Sequence, residues 1–307
     1  MVESIKIKFL VAVPEEWINL KNYIINLDDI GEFYNNLIVV LDEVVGDVKT
    51  TTVIKELIKT DGIFLSHHTN ISEDNVWNIK KGYLNGYLYF DKCGYSGWSE
   101  MANSKELFNE TQKVDFNKAG AFFDEFSKNY KNTRSNKIRQ SREVFKIREP
   151  YVFVAGQRPH DTVAEWAYIS TLNLMEEVAA AFQGSKYKVV IKIHPLEQRK
   201  LKTVYKFLDK YKNVILTEAD IHDIIPNATA VYTVNSGVGF ESLLYLKHVF
   251  VSGKCDYRWA ATEIHNSNDI ESTMHLLEEP VDKAKIIMFM YYMLTEYFVI
   301  SKNLNSI

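Results

Sequence analysis

Two short polar clusters hold the residues of this sequence that are best suited to chemistry. One cluster occupies residues 157–161 and the other residues 192–195, and each follows directly on an apolar run. The carboxylate of Asp161, beside Arg158 and His160, is favoured in its ionised form, which suits a nucleophile or a base. The lysine and the histidine of the second cluster suit the stabilisation of charge on a phosphate group. The residue types therefore predict a site that binds a phosphate-bearing ligand beside an ionised carboxylate.

The predicted secondary structure brings the two clusters to one edge of a sheet. Tyr151 to Ala155 and Lys188 to Ile193 have the composition of buried strands, and Thr162 to Gln183 has the length and pattern of a helix. A strand, a helix and a second strand form a right-handed crossover with parallel strands. Open sheets of this kind bind ligands in the crevice at the carboxyl ends of their strands. We therefore expect Asp161 and His194 to border one pocket.

Both side chains also have an interpretation that involves no chemistry. Asp161 stands where an N-cap residue of the following helix is expected. His194 precedes Pro195 and is open to interpretation as a histidine whose hydrogen bonds are satisfied within the protein. The residues alone leave these alternatives open.

A third cluster, residues 235–241, follows the predicted strand Ala230 to Val234 and leads into a predicted helix, Ser242 to Leu246. Its glycines let backbone N–H groups approach a phosphate, and the N-terminus of the helix carries a partial positive charge. A diphosphate or a nucleoside monophosphate would fit there. The alternative is a plain turn in which Ser236 caps the helix and Glu241 interacts with the helix dipole.

Composition places the chain among ordinary globular proteins. The 307 residues suffice for two domains, and a net charge of -4 with 46% hydrophobic residues is not the signature of a nucleic-acid-binding or disordered chain. Cys93 and Cys255 have neither zinc-ligand nor disulfide spacing, so we expect no metal and a reduced, cytoplasmic location. The longest apolar stretch, Ile286 to Leu294, is shorter than the ~20 residues that span a bilayer.

The alternation of elements predicts two successive doubly wound α/β domains. It begins with a strand where a signal peptide would stand. In the first part, strands are expected over Ile5 to Val13, Asn36 to Leu41, Gly62 to Ser66 and Tyr87 to Phe90, and helices over Glu15 to Leu27, Thr51 to Lys59, Asp74 to Lys81 and Phe116 to Tyr130. The second part has strands over residues 151–155, 189–193, 214–216, 230–234 and 249–252. The fold predicted is GT-B-like, with two Rossmann-like domains and an interdomain cleft.

We place an N-terminal domain at residues 1–130, a linker at 131–149, a C-terminal domain at 150–280 and a final helix within 281–307. Residues 131–148 carry seven lysines and arginines against one acid, Glu143. They form either a solvated connector or a basic surface for anionic lipid or an anionic acceptor. The final helix is expected to cross back to the first domain, with burial in its own domain or in a dimer contact as the alternative.

Several segments, in this order, resemble the capsule polysaccharide biosynthesis family, whose best-known members are β-Kdo transferases. They are Phe153 to Thr162, Ile191 to Pro195 and Thr233 to Gly239, followed by Gly253 and Tyr257. A further similarity covers Phe90 to Glu100, where a Gly-Tyr pair, Gly94 and Tyr95, is followed by an acidic residue.

The resemblance implies a GT-B glycosyltransferase that needs no metal or cofactor and takes its sugar from a nucleotide donor. Asp161 matches the catalytic aspartate of the family, a nucleophile that attacks the anomeric carbon in a retaining double displacement. His194 and Lys192 match residues near the donor phosphate. The catalytic set expected is Asp161, His194 and Glu100. The donor-binding set is Gln157, Arg158, Lys192, Pro195, Asn235, Ser236, Gly237, Gly239, Glu241 and Tyr257, and the acceptor-side set is Asp91, Tyr95 and Trp98.

The identity of the donor and the type of reaction each have alternatives. Ser96 follows Tyr95 where members that transfer Kdo carry Arg-Pro, so a neutral sugar on UDP or GDP is an alternative to a CMP-Kdo-like donor. Asp161 would then be the base of an inverting reaction. Another alternative is a hydrolysing nucleotide-sugar 2-epimerase, although such enzymes carry paired acids in the loop where only Glu241 stands. The last is a catalytically silent nucleotide-binding subunit of a glycan assembly machine.

The partners expected of a transferase are a nucleotide sugar and an oligosaccharide, polysaccharide or glycolipid acceptor. Nucleic acid is not expected. The basic segment over residues 131–148 adds the expectation of peripheral contact between a cytoplasmic protein and the membrane.

Overall fold

A computed structural model describes residues 8–14, 29–52, 57–136, 138, 140–197, 206 and 209–301. The chain contacts divide it into two units, Met1–Asn103 with Tyr292–Ile307, and Ser104–Tyr291. Each unit contains one β-sheet accompanied by helices, so the predicted α/β class is confirmed. In the part of the chain that the structure describes, no helix combines the length and the apolar character needed to traverse a bilayer.

The first unit is built on a mixed sheet. Its strands among the described residues are β1 (Phe9–Ala12), β2 (Val48–Thr51), β3 (Ile63–His67), β4 (Val76–Lys81), β5 (Tyr87–Asp91) and, near the C-terminus, β12 (Val299–Ile300). The order across the sheet is β12, β5, β4, β3, β1, β2. The first four strands in the chain run parallel, whereas β5 and β12 are antiparallel to their neighbours. The helical segments are α1 (Asp29–Val45), a 3₁₀ turn (Ser96–Trp98), α2 (Glu100–Asn103) and a π-helical turn (Met293–Tyr297).

Two predicted elements of this unit are wrong. The expected strand Asn36 to Leu41 lies inside α1, because Ile30, Phe33, Tyr34 and Leu37 are buried at helical spacing, whereas the β-branched residues that suggested a strand are largely exposed. The expected helix Asp74 to Lys81 is β4, an interior strand paired with β3 and β5. The expected helix Glu15 to Leu27 lies outside the described residues. Of the expected helix Thr51 to Lys59, Thr51 belongs to β2, residues 57–59 have no regular structure, and 53–56 lie outside the described residues.

The second unit contains a parallel sheet in the strand order of a dinucleotide-binding fold. Its strands are β6 (Tyr151–Ala155), β7 (Lys188–Lys192), β8 (Val214–Thr217), β9 (Ala230–Thr233), β10 (His248–Val251) and β11 (Thr262–Glu263). The order across the described sheet is β11, β10, β9, β6, β7, β8, and all pairs are parallel. The chain proceeds from β6 to one side and returns with β9 on the other, which makes the β6–β9 pair the switch point where ligands bind.

The helices of the second unit differ in length from those that the sequence pattern predicts. They are α3 (Lys105–Thr111), α4 (Phe116–Thr133), α5 (Thr171–Ala181), α6 (Ile221–Ile224), α7 (Gly237–Leu243), α8 (Ser267–Leu276) and α9 (Lys283–Tyr292), with 3₁₀ turns at Thr162–Trp166, Ile225–Asn227 and Asp256–Trp259. The helix expected over Thr162 to Gln183 is interrupted because Ala167 forms a bridge with Gly253 and the Tyr168 N–H donates to Ser252 O at 2.7 Å. The helix expected over Ser242 to Leu246 begins earlier, at Gly237.

The basic segment lies within the second unit and is attached to it. Arg134 forms ion pairs with Asp220 at 2.9 Å and Asp223 at 2.8 Å. Glu143 accepts from the hydroxyl of Thr217, the last residue of β8, at 2.6 Å, and Phe145 packs on the core. The unit boundary therefore falls between Asn103 and Ser104, whereas the sequence placed the first domain at 1–130 and the linker at 131–149. The chain re-enters the first unit at Tyr292, and its last described strand is β12.

Candidate functional site

Two hydrogen bonds between Gln157 and Asn235 hold the switch point of the second sheet. Gln157 Nε2 donates to Asn235 Oδ1 at 2.7 Å, and the Asn235 backbone N–H donates to Gln157 Oε1 at 3.2 Å. Both residues are buried, with exposures of 6% and 2%. Asn235 Nδ2 also donates to the carbonyls of Val163 at 2.8 Å and Lys254 at 3.3 Å. The loops after β6, β9 and β10 are thus tied together by two residues that the sequence assigned to the donor.

Asp161 stands at the start of the 3₁₀ turn after β6. Its backbone N–H donates to Arg158 O at 3.1 Å, and its carboxylate accepts a long hydrogen bond of 3.5 Å from Val163 N. Both interpretations of the residue therefore remain compatible with its position. The cap is weak, and the half-buried carboxylate keeps acceptor capacity for a ligand.

The polar clusters after β6 and β7 meet. Arg158 Nε lies 3.1 Å from Glu197 Oε1, and the Glu197 N–H donates to His194 O at 2.8 Å. The charges of Arg158 and Asp161 both act on the His194 imidazole. Burial, and then the guanidinium of Arg158, lower the pKa of His194, while the Asp161 carboxylate acts in the opposite direction. The imidazole is accordingly neutral at pH 7, and its Nδ1 accepts from Leu196 N at 3.2 Å.

Lys192, the last residue of β7, differs from His194, which lies two residues beyond the strand. Its side chain is buried, and its ammonium group donates to Glu218 O at 2.8 Å and to Ala219 O. Burial lowers the pKa of Lys192. The ammonium holds the chain that leaves β8, rather than standing at the surface beside the imidazole.

The loop after β9 uses most of its predicted ligand groups internally. Ser236 caps α7 by accepting from Val238 N at 3.3 Å, and Ser236 O accepts from the buried Tyr257 hydroxyl at 2.6 Å. A Cβ atom at Gly239 would lie 2.5 Å from that hydroxyl, so the glycine makes room for Tyr257. Glu241 is buried and accepts from Tyr130 at 2.7 Å. Gly237 and Ser236 are half-buried and stand at the surface end of the loop.

In the first unit, Asp91 organises the loop that follows β5. Its Oδ1 accepts from Cys93 N at 2.7 Å and Gly94 N at 2.8 Å, and its Oδ2 accepts from Glu100 N at 3.0 Å and from the Tyr297 hydroxyl. Burial raises the pKa of Asp91, and these four donors oppose that shift. The residue is 1% exposed, so it supports the loop instead of offering an acid to an acceptor.

The other acceptor-side candidates differ in accessibility. Tyr95 is buried, with the His68 ring 5.5 Å and the Trp98 ring 5.1 Å from its own and the Lys80 ammonium 3.5 Å above it. Trp98 is half-buried, and Glu100 is exposed at the start of α2. Desolvation, followed by the charge of Asp91, raises the pKa of Glu100, as suits a group that exchanges a proton.

Sequence reasoning missed the partners of these residues. Glu197 pairs with Arg158 and lies in the same turn as His194. The signals that the sequence offered were its position three residues after His194 and its charge, which is opposite to that of Arg158. Asn78 accepts from Thr69 at 2.6 Å and donates to Asp91 O at 3.1 Å in the first unit. Nothing local marked Asn78, because a polar residue inside a strand has no pattern of its own. Across the described residues, no group of three His, Cys, Asp or Glu side chains is placed to hold a metal ion.

Comparison with known proteins decides the family. The model of the family described as capsule polysaccharide biosynthesis protein matches residues 75–297. The chain belongs to the capsule polysaccharide biosynthesis protein family. The matched range includes all three polar clusters of the second unit and the loop of Asp91 to Glu100 in the first.

A solved structure agrees with the fold of this member of the family. KpsC of Thermosulfurimonas dismutans, described as a beta Kdo 2,7 transferase, matches with a TM-score of 0.55 and 15% identity over 92% of this chain and 89% of that chain. The same organism's KpsC beta Kdo 2,4 transferase matches with a TM-score of 0.49 and 14% identity, over 92% and 90%. No curated protein matches the chain. The predicted family and the GT-B class of two Rossmann-like folds are therefore confirmed, and an enzyme of the glycosyltransferase class agrees with both.

Proposed function

We propose that this protein is a glycosyltransferase that moves a sugar from a nucleotide-sugar donor, CMP-Kdo-like in kind, to a glycan acceptor. Its family and fold support the class of enzyme. The observation that carries the proposal is the junction of the clusters after β6 and β7. Arg158 lies 3.1 Å from Glu197, and both Arg158 and Asp161 act electrostatically on His194. A cation, a carboxylate and an imidazole at one sheet edge are the groups that displacement of a phosphate from an anomeric carbon requires.

In this proposal Asp161 attacks the anomeric carbon while the bond from that carbon to the phosphate oxygen breaks. Arg158 and His194 stabilise the charge that the departing phosphate gains, with Ser236 at its far side. An acceptor hydroxyl then attacks the glycosyl-aspartate, loses its proton to a base and releases Asp161 with net retention. Glu100 stays the sequence-based prediction for that base. In this proposal the fixed charges of the protein stabilise the departing phosphate without a metal ion, and no cofactor takes part.

The alternative within the glycosyltransferases is an enzyme that transfers a neutral sugar from UDP or GDP, with Asp161 as the base of a single inverting step. A hydrolysing 2-epimerase finds less support, because the acid of the loop after β9, Glu241, is buried and bonded to Tyr130. We also propose that the enzyme is cytoplasmic and contacts the membrane through its basic segment.

The test is a panel of CMP-, UDP- and GDP-sugars incubated with purified protein and glycan acceptors. We expect a nucleotide product together with a sugar-extended acceptor, whose new linkage NMR assigns as retained or inverted. UDP with an epimerised free sugar would support the epimerase instead. Binding of a nucleotide sugar without any turnover across the panel would support the silent subunit.

A further inference from the structure

A second cavity of the second unit lies between the basic segment and the start of α6. Glu143, in its wall, accepts from the Thr217 hydroxyl at the end of β8 and from Glu218 N at 3.2 Å. Lys192, at the end of β7, donates to the carbonyl of the same Glu218 at 2.8 Å. The cavity therefore lies at the carboxyl edge of the sheet, on the β8 side of the clusters that follow β6 and β7. The proposed reaction uses none of the residues in its described wall.

The cavity has the size of a site for a small oligosaccharide. Its volume is about 660 Å³, within the range of ~300–1,000 Å³ that is typical of ligand sites. At the packing density of interiors, about 0.74, it accommodates about 490 Å³ of ligand atoms, which is the size of about two or three sugar rings. Arg142 and Val144 of the wall are exposed, so the cavity is open to solvent and a longer chain can leave it.

The charges of the described wall cancel. Three cationic side chains face three carboxylates, and these are Arg134, Arg142 and Lys146 against Glu143, Asp220 and Asp223. Arg134 forms ion pairs with two of the carboxylates, at 2.9 and 2.8 Å. A charged ligand would lose hydration on entering this wall without meeting an excess of opposite charge. The charges of the described wall therefore favour a neutral ligand.

The ion-paired cluster of Arg134, Asp220 and Asp223 retains capacity for hydrogen bonds. The guanidinium donates to both oxygens of Asp223, at 2.8 and 2.9 Å, and its Nη2 is 2.9 Å from Asp220 Oδ2. A guanidinium has five N–H donors and a carboxylate has about four acceptor sites, so these contacts use only part of either. The side chains of Arg134 and Asp223 are 44% and 37% exposed. Donors and acceptors that hold one another in place match the adjacent hydroxyls of a sugar ring, which both donate and accept.

The wall also offers an apolar surface. Phe145 lines the cavity, and Val144 beside it is 75% exposed. The C–H face of a sugar ring packs on aromatic and aliphatic side chains, whereas an inorganic anion gains nothing from them. Charge balance, spare hydrogen-bonding groups and apolar carbon thus favour the same chemical class of ligand.

We infer that this cavity binds a neutral oligosaccharide, and that the oligosaccharide is a part of the glycan acceptor remote from the hydroxyl that reacts. The inference rests on the proposed function, which supplies the acceptor. The cavity acts as a holding subsite, and it increases the affinity for acceptors whose chain reaches it.

The test measures oligosaccharide binding by the full-length protein without any nucleotide sugar. An array of neutral oligosaccharides identifies the probe, and calorimetry then gives its affinity. We expect the wild type to bind a neutral probe of at least two rings, with an affinity that changes less than about twofold between about 0.05 and about 0.5 M NaCl. Ser141→Leu fills the cavity and should weaken binding about tenfold. Ser272→Leu, at an exposed position of α8, should change nothing.

Asp223→Ala gives an independent reading if Ser141→Leu fails to fold. It removes acceptors from the cluster and should also weaken binding about tenfold, whereas Asp124→Ala, at an exposed position of α4, should keep wild-type affinity. In the transfer assay, Asp223→Ala should raise the KM of acceptors that carry the bound oligosaccharide by about tenfold.

Three outcomes overturn the inference. The first is an array in which no neutral oligosaccharide binds, and the second is wild-type affinity in folded Ser141→Leu or Asp223→Ala. The third is binding that weakens steeply with salt and is displaced by inorganic phosphate or glycerol 1-phosphate, as in an anion site. Transfer by a protein that binds no oligosaccharide contradicts the inference alone. Oligosaccharide binding without transfer from any nucleotide sugar contradicts the proposed function and leaves the sugar site in place.

Discussion

The loop after β5 in the first unit and the loop after β6 in the second are both held by buried polar side chains, but with different chemistry. A carboxylate, Asp91, holds the first by accepting three backbone N–H bonds and one hydroxyl. Neutral amides, Gln157 and Asn235, hold the second. A buried charge is tolerated only when donors surround it, whereas paired amides are cheaper to bury and keep capacity for a ligand.

This difference between the two loops distinguishes residues that hold the loops in position from residues that are available for reaction. In the second unit the buried amides hold the loops, and Arg158, Asp161 and His194 stay exposed or half-buried at the sheet edge. In the first unit the carboxylate that looked reactive is committed to the loop, and Glu100 is the acid left at the surface. Substitutions at the two kinds of residue should therefore separate effects on activity from effects on stability.

The largest effect is expected at Asp161. Asp161→Asn should lower transfer by about 10³-fold, because the amide is neither a nucleophile nor a base. The free energy of unfolding should change by less than about 0.5 kcal/mol, because Asn caps a helix as well as Asp does. Initial rates with the preferred donor and urea unfolding measure the two quantities.

Asp115→Asn is the matched control for that variant. Asp115 caps α4 in the same unit by accepting from Lys118 N at 2.7 Å. It should keep wild-type activity. Wild-type transfer by Asp161→Asn would mean that Asp161 is only a cap, and the division between positioning and reacting residues would lose its main example.

The next largest effect is on the stability of the first unit. Asp91→Ala removes the acceptor of three N–H groups and the Tyr297 hydroxyl, and it should lower the free energy of unfolding by about 3 kcal/mol. Asp74→Ala makes the same change at an exposed position of that unit and should cost less than about 0.5 kcal/mol. Urea unfolding compares them. Equal costs for the two variants would show that the Asp91 carboxylate does not hold the loop.

The amide pair should show an intermediate effect of a different kind. Gln157→Ala and Asn235→Ala each remove one partner of the hydrogen bond from Gln157 Nε2 to Asn235 Oδ1, so the double variant should be less destabilised than the sum of the single variants by about 1 kcal/mol. Transfer should fall about tenfold in Asn235→Ala, since the carbonyl of Val163, in the turn that Asp161 begins, loses its donor Asn235 Nδ2. Unfolding free energies and rates of all four proteins complete the cycle, and strict additivity would contradict the coupling.

His194 should report on the pH dependence of donor binding. Its pKa is lowered in the free protein by burial and by Arg158, and a bound phosphate favours the charged imidazole and raises that pKa. Between the two pKa values, binding takes up as much as about one proton, so affinity rises as the pH falls through this window.

Calorimetry of nucleotide binding in buffers of different ionisation enthalpy measures this proton uptake. It should be present in the wild type and absent in His194→Asn, which should also bind several-fold more weakly. His265→Asn, which alters an exposed histidine of the same unit, should keep the uptake. Uptake that survives in His194→Asn would place the phosphate elsewhere.

The second unit was more predictable from sequence than the first, for a physical reason. Strands such as Tyr151–Ala155 are buried along their whole length, so a continuous apolar run marks them. In the first unit, Leu37 to Val40 form an equally apolar run inside a helix, and only the upstream spacing of Ile30, Phe33 and Tyr34 shows the helical face. Val76–Lys81 contains buried Asn78, whose long-range partners Thr69 and Asp91 no local pattern reveals.

In the candidate site, too, sequence predicted some features and left out those that depend on long-range contacts. Topology placed the loops correctly at one edge, because the carboxyl ends of neighbouring parallel strands converge. Sequence could not tell which polar side chains the protein would use for itself, since those partners come from distant loops. Glu241 meets Tyr130, and Lys192 meets the carbonyls of Glu218 and Ala219.

A substitution of Lys192 should accordingly have the smallest effect on ligand binding. It is also the sharpest test of whether burial separates positioning residues from binding residues. Lys192→Met keeps the apolar stem and removes the ammonium, which leaves the carbonyls of Glu218 and Ala219 without their donor and should cost about 1–2 kcal/mol of stability. Nucleotide affinity should change less than about threefold, because the ammonium is turned to the chain after β8. Arg158→Met, which removes an exposed cation from the same edge, is the comparison and should weaken binding about tenfold. A tenfold loss in Lys192→Met as well would return the lysine to the donor phosphate, and burial would no longer separate positioning residues from binding ones.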